Sequence, residues 1–328
     1  MIEKWEYIYI RDKVFRDGRI SKDKKYAAIQ ERVRFFNALD DLGDNRADVR
    51  YVLSFNYSNR GYVEDIVHKA TLYNASTKCA DSMSTEFLRY YEKYGYVPRS
   101  QYLVTKQDLL DMGWEGDISD VSIYTMNMMF REFEINTTER IRHFFAQAMD
   151  ESQKGKWIRE GENLLLAGYT QEKYEEYYNA KKKYKYIDRG VGYIQTTFQY
   201  NHFGFATYLL GKDNLDLPIK IKYSSSANAI ELEDAYNTAM NIAMSNGIDI
   251  EEYQKILEGG TDYIASQYAW TISGYWWLAN KVNEEIDAFE GNCASEVDKI
   301  SDIVNKGMSS SDRAERRAYY EQVSKIIK

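Results

Sequence analysis

Cysteine, proline and histidine are all scarce in this 328-residue chain, which carries two, two and three of them. Cys79 and Cys293, neither part of a Cys-x-x-Cys pair, cannot build a disulfide framework, which disfavours a secreted, disulfide-braced fold. His68, His143 and His202 show no ligand spacing, so neither a metal site nor a metal amidase is expected, and no cofactor either. With only Pro98 and Pro218 and no Gly/Ser tract, a long flexible linker is not expected. No stretch approaches the roughly 18 consecutive apolar residues of a membrane span, and MIEKWEYIYIRDK at the N-terminus lacks the apolar region of a signal peptide. The expectation is a soluble protein made in the cytoplasm, without membrane insertion. Positive charge is also short: the net charge is −8, and the basic residues are interleaved with acids, so no nucleic-acid partner is expected. The one basic run, KKKYK from Lys181 to Lys185, reads as a solvated helix end. No period of roughly 20 to 50 residues recurs, which argues against a solenoid or propeller.

What the chain does have is apolar residues at helical spacing. A 44% hydrophobic fraction supplies at least one core, and thirty tyrosines serve mostly as half-buried amphipathic filler, although such rings can also stack on sugars. Gly95 and Pro98, in the stretch YGYVPRSQY, punctuate two helical patterns and divide the chain near residue 100. Residues 1–100 read as an N-terminal region of unknown fold and role. Helical runs cover Lys24–Leu39 and Thr85–Tyr94, and a strand-like segment, VRYVLSFNYS, lies between them. Residues 101–328 form a mainly α-helical domain, with helices expected in 104–114, 121–135, 137–149, 230–247, 250–260, 266–286, 294–307 and 312–327. Asn136 followed by Glu139 has capping-box-like spacing, and Gly247, Gly259 and Gly260 fit C-terminal caps.

Two segments carry chemistry. In TTERIRHFFAQAMDES, Ile141, Phe144, Phe145 and Ala148 form an apolar stripe that Glu151 continues, placing this carboxyl at the rim of the core and at the negative end of its helix. Partial desolvation and the helix dipole both favour its protonated form, which is the form a general acid needs. In RGVGYIQTTFQYNHFG, the glycines do not have the spacing of a dinucleotide fingerprint. A short extended stretch there would present Gln195 and Thr197 on one face, with Asn201 at the turn into a helix. Neutral amides and hydroxyls of this kind suit the acetamido and hydroxyl groups of a sugar.

INTTERIRHFFAQAMDES resembles the segment of glycoside hydrolase family 19, the chitinases and phage endolysins, in which a helix ends in Ala-Gln-x-x-His-Glu-Ser. The family's general acid falls on Glu151. Asp150 stands where the family has His, and Gln153-Lys154 where it has Gly-Gly. Arg189–Gly204 resembles the family's Gly-Arg-Gly-Pro-Ile-Gln-Leu-Ser segment, so that Gln195 and Asn201 match substrate-binding residues and Thr197 the residue that helps hold the hydrolytic water. Val191, Tyr193 and His202 replace the family's Arg, Pro and Tyr. DIVNKGMSSSDRAERRAYYEQV resembles a third block, in which Asn305 and Arg316 match cleft-lining residues and Lys306 departs from a Gly. SQYAWTISGYWW resembles a core segment, which makes Trp270 and Trp276 core rather than ligand platform.

This resemblance runs through about 230 residues in the family's order. It implies a lysozyme-like α+β domain with a small strand segment near the cleft and an inverting mechanism. The base belongs to the flexible segment WIREGENLLLAGYT, where Glu162 is the first choice and Glu160 the reserve. The expected function is hydrolysis of β-1,4 bonds between amino sugars, with peptidoglycan as substrate ahead of chitin and action at the cell wall after release. The alternatives are a chitinase and an inactive wall-binding or virion structural protein of the same fold.

Overall fold

The computed structural model describes residues 60–181, 186–210, 250–291 and 294–328, and part of 237–247. The expected helix at Lys24–Leu39, the strand-like VRYVLSFNYS, most of the 230–247 helix, Lys182–Lys185 and Cys293 lie outside the described residues. The described chain is mainly helical and divides into two units, Met1–Met83 with Phe87–Tyr102, and Ser84–Glu86 with Leu103–Lys328.

In the first unit, α1 (Arg60–Thr77) precedes α2 (Thr85–Tyr94), whose first two residues belong to the second unit. Leu72, Phe87 and Tyr90 are buried. His68 Nε2 lies 2.7 Å from the Tyr102 hydroxyl.

The second unit begins with α3 (Lys106–Asp111), started by a capping box between Thr105 and Asp108. In α4 (Asp120–Glu132), every residue from Ser122 to Phe130 is buried. A helix with no polar face must run through the middle of a domain. Helix α5 (Thr138–Glu151) packs on it through Phe144 and Phe145, which meet Phe130 edge to face at 5.3 and 5.8 Å. Truncating either ring would cost about 3–5 kcal/mol. The cap of α5 is Thr137 rather than Asn136. The Thr137 hydroxyl accepts from the Arg140 amide at 3.3 Å, while Glu139 accepts from Arg142 and, at 2.6 Å, from the Tyr320 hydroxyl.

Short helices α6 (Glu162–Leu166) and α7 (Gln171–Lys181) lead to α8 (Gln199–Leu209), which lies against α9 (Glu251–Ala279). As the glycines at 259 and 260 led one to expect, helical geometry ends there: the chain passes through Gly260 in a non-helical conformation (φ 50°, ψ −137°), and a further helical stretch follows directly. A Cβ at Gly260 would sit 2.2 Å from the Ile187 carbonyl oxygen, so only glycine lets the two backbones approach. A second break falls at Tyr268, and the buried Glu86 carboxylate accepts from the Trp270 and Thr271 amides that follow it, at 3.1 and 2.9 Å. Trp270 and Trp276 are core residues, 2% and 9% exposed.

Helices α10 (Val282–Asp287), α11 (Ala294–Val304) and α12 (Ser310–Ser324) complete the unit, and α12 lies along α5. The strand segment expected near the cleft is not formed. Among the described residues β-pairing is confined to two isolated antiparallel bridges, Arg159 with Val191 and Val191 with Thr196. Gly192–Gln195 turns between the bridges and Gln195 takes a left-handed φ of 51°, so the side-chain alternation of an extended strand cannot develop.

Candidate functional site

Glu151 is the last residue of α5. Its side chain is 16% exposed, and its Oε1 accepts from Nη2 of Arg316, which reaches across from α12 and is only 2% exposed. The same guanidinium donates through Nε to Asp150 Oδ2 at 2.6 Å and through Nη1 to the Gln147 side-chain oxygen. One arginine therefore holds three acceptors spread over the last turn of α5. Burial raises the proton affinity of Glu151, and the pairing with Arg316 opposes that; the nearby charges of Asp150 and Glu160 raise it further, and the balance lies upward. Asp150 is raised as well, again chiefly by burial.

The turn after Glu151 is conformationally unusual. Gln153, Lys154 and Gly155 follow one another with φ of 49°, 60° and 83°. For the two non-glycine residues this costs about 1–2 kcal/mol each. The Lys154 amide bonds the Met149 carbonyl at 2.6 Å, the Trp157 amide bonds the Ser152 carbonyl at 2.9 Å, and the Gly155 amide bonds Ser152 Oγ at 2.8 Å. These bonds, with Gly155 pressed on the Trp114 ring, hold the turn in place. At Gln153 and Lys154 the backbone adopts the conformation glycine would favour. Gln195 (φ 51°) and Phe198 (φ 81°) carry the same kind of strain in the second segment. Among the described residues, four of the six non-glycine residues with left-handed φ thus flank the candidate chemistry, where such strain tends to collect.

Glu160 ties the two segments together. Its amide donates to the Gly190 carbonyl at 2.8 Å and its Oε2 accepts from the Gly190 amide at 3.0 Å. Gly190 is also where the Gln195 and Thr197 side chains converge: a Cβ there would lie 2.6 Å from Gln195 Oε1 and 3.2 Å from Thr197 Oγ1. Gln195 Nε2 donates to the carbonyls of Gly192 and Trp157, at 3.1 and 3.3 Å. Thr197 Oγ1 donates to the Gln195 carbonyl at 2.8 Å, and Asn201 Nδ2 to the Thr197 carbonyl at 2.6 Å. Behind this turn sits Arg189, 1% exposed, with its guanidinium 3.9 Å from the centre of the Tyr186 ring. It donates to the Glu160 carbonyl at 3.3 Å and to Asp262 at 2.5 Å.

Glu160, Gln195, Thr197 and Asn201 therefore belong to one neighbourhood, joined by hydrogen bonds and close approach. Trp157 ties it to the turn after Glu151: its amide donates to the Ser152 carbonyl at 2.9 Å and its carbonyl accepts from Gln195 Nε2 at 3.3 Å. Glu162 is at the first position of α6, with Oε1 3.5 Å from an Arg159 nitrogen. Arg316 lies behind Glu151, with its guanidinium engaged by α5 and its surface all but closed to solvent. Asn305 is exposed just past α11, accepting from the Gly307 amide at 3.3 Å; it is one turn beyond Ser301, whose hydroxyl meets Gln147 at 3.3 Å. The described residues contain no cluster of His, Cys, Asp and Glu placed to hold a metal ion. None of their helices is long and apolar enough to cross a membrane.

The sequence reading left out Arg189 and treated Asp150 only as a departure from a motif. A signal existed for the arginine on α12: Arg316, Tyr320 and Val323 fall on one helical stripe and all are buried. An arginine on an apolar stripe must find a carboxylate. No family model, curated protein or solved structure matches this chain.

Proposed function

We propose that residues 103–328 form a glycoside hydrolase that cleaves β-1,4 bonds between amino sugars in bacterial peptidoglycan, with chitin oligomers as the second substrate class. The observation that carries this reading is the half-buried Glu151 carboxyl, held with raised proton affinity beside Glu160 and the Gln195–Thr197–Asn201 turn. In this mechanism Glu151 protonates the leaving oxygen while a second carboxylate takes a proton from the attacking water on the opposite face of the sugar. Glu160 is the better supported base, because its charge is felt at Glu151 and the Gly190 amide orients its carboxylate. Glu162 is the second candidate. Thr197 positions the water, and Gln195 and Asn201 bind the acetamido and hydroxyl groups of the sugar, with Asn305 at the outer end. Arg316 orients Glu151 rather than touching the glycan.

Mass spectrometry of muropeptides released from purified cell walls tests the reading, and reducing-end analysis on chitin oligomers separates the two substrates. Glu151→Gln should abolish release while leaving the unfolding midpoint near that of the parent; normal turnover by E151Q would remove the assignment. Parallel assays of E160Q and E162Q identify the base. A second reading, an inactive wall-binding or virion protein that retains the fold, is favoured by one observation: Arg316 already occupies an oxygen of Glu151. Clearing of a suspension of permeabilised bacteria by the parent chain but not by E151Q would exclude it.

A further inference from the structure

The last turn of α5 places two carboxylates side by side on one guanidinium. Arg316 Nε is engaged by Asp150 at 2.6 Å and Nη2 by Glu151, while Nη1 is taken up by Gln147. Each additional acceptor draws on the same single positive charge, and the side chain has almost no exposed surface through which water could supply a substitute. The charges facing this pair come from three directions. Helix α12 contributes Arg316, Glu315 and Asp312; α5 contributes the two carboxylates; and the segment before α6 contributes Glu160. The phenol of Tyr319, on α12, also senses Asp150.

We propose that Asp150 is a positioning residue for the proton donor: by engaging Arg316 Nε and setting a second negative group beside Glu151, it governs how tightly Glu151 holds its proton. Both of its actions have the same sign. It draws Arg316 away from Glu151, and its own charge disfavours a second anion next to it. The direction of the Glu151 shift, with Asp150 among the groups that raise it, agrees with this geometry. The proposal rests on the reading of Glu151 as the general acid. It goes beyond that reading in assigning a role to the carboxylate next to the proton donor.

Asp150→Asn keeps the shape and one hydrogen-bond acceptor but removes the charge, whereas Asp150→Glu keeps the charge. Glu151 is followed in the full chain by carboxyl-carbon NMR titration, with E151Q identifying its signal. In D150N the Glu151 midpoint should fall by about one pH unit, and in D150E it should stay close to the parent value. The high-pH limb of the pH–rate profile should move down with it. D298N, which removes an equal charge from the pair with Arg317, should leave the Glu151 midpoint in place. An unchanged midpoint in D150N, or an equal fall in D298N, overturns the proposal. If D150N does not fold, Asp150→Ser gives the same readout, and loss of the fold in both neutral variants also overturns it, since Asp150 would then be a structural requirement. The titration needs no glycan, so its failure is distinct from failure of the hydrolase reading, which the comparison of E151Q with the parent decides.

Discussion

Removing Arg316 should expose the energetics of the site directly. In Arg316→Met the apolar stem of the side chain is largely replaced, and what disappears is the guanidinium that serves Gln147, Asp150 and Glu151. Both carboxylates are poorly solvated, 19% and 16% exposed. Deleting one partner of a buried ion pair costs about 3–5 kcal/mol. The lower end, about 3 kcal/mol, applies at neutral pH because some water still reaches both groups. Both already have raised proton affinity, and loss of the arginine raises it further. A raised folded-state pKa contributes stability that is present below the ordinary carboxylate range and is lost as pH rises through the folded value. The deficit of R316M should therefore shrink near pH 4, where protonated carboxyl groups no longer need the cation, leaving about 1 kcal/mol for lost hydrogen bonds. Urea unfolding of parent and variant at pH 7 and pH 4 measures the two differences. A deficit below about 1 kcal/mol at pH 7, or one that is equal at both pH values, would refute the account of the clamp.

Other consequences can be checked with the same purified protein. His143 and His202 are buried and pushed down to about 4 from 6.5, so each contributes stability that is present above pH 6.5 and is lost as pH falls towards 4. The contribution is roughly 3 kcal/mol apiece at neutral pH, and unfolding free energy measured across that window should fall steeply in the parent and less in His202→Gln. Lys154→Gly should raise the unfolding free energy by about 0.5–1 kcal/mol, because glycine relieves a left-handed backbone; a loss of stability in urea titration would contradict the strain argument. Gly192→Ala should do the reverse by about 2 kcal/mol or more, since φ is 75° there and the added carbon would lie 2.7 Å from Ile272 and Ser273 side-chain atoms. Because the turn carries Gln195, glycan release should fall more than stability does.

The helices were legible in the sequence because each buries a stripe, and a stripe repeats at 3.6 residues whatever it packs against. The 13-residue α4 and 14-residue α5 appear where apolar spacing places them, and Glu151 was readable as the next step along such a stripe. The position of a carboxyl at the edge of a core is a local property. The partners were not legible, because they come from distant parts of the chain. Asp150 and Arg316 are 166 residues apart in sequence, and Arg189 and Asp262 are 73 apart.

Gly190–Asn201 shows the same limit at short range. Period-2 alternation predicted an extended strand displaying Gln195 and Thr197, but the segment folds into a turn closed by the Val191–Thr196 bridge. Among the described residues no partner strand lies alongside to hold it extended, and Gly192 is drawn onto Ile272 and Ser273 of α9. Glu160 and Glu162, two positions apart, could not be ranked from spacing. Only the two hydrogen bonds between Glu160 and Gly190 give one of them a fixed place beside the amide and hydroxyl groups. What the sequence determined by itself was which faces must be buried, since that is fixed by the solvent and the helical period. Tertiary structure decided which charges share a cation, because that depends on which surfaces come into contact once those faces are buried.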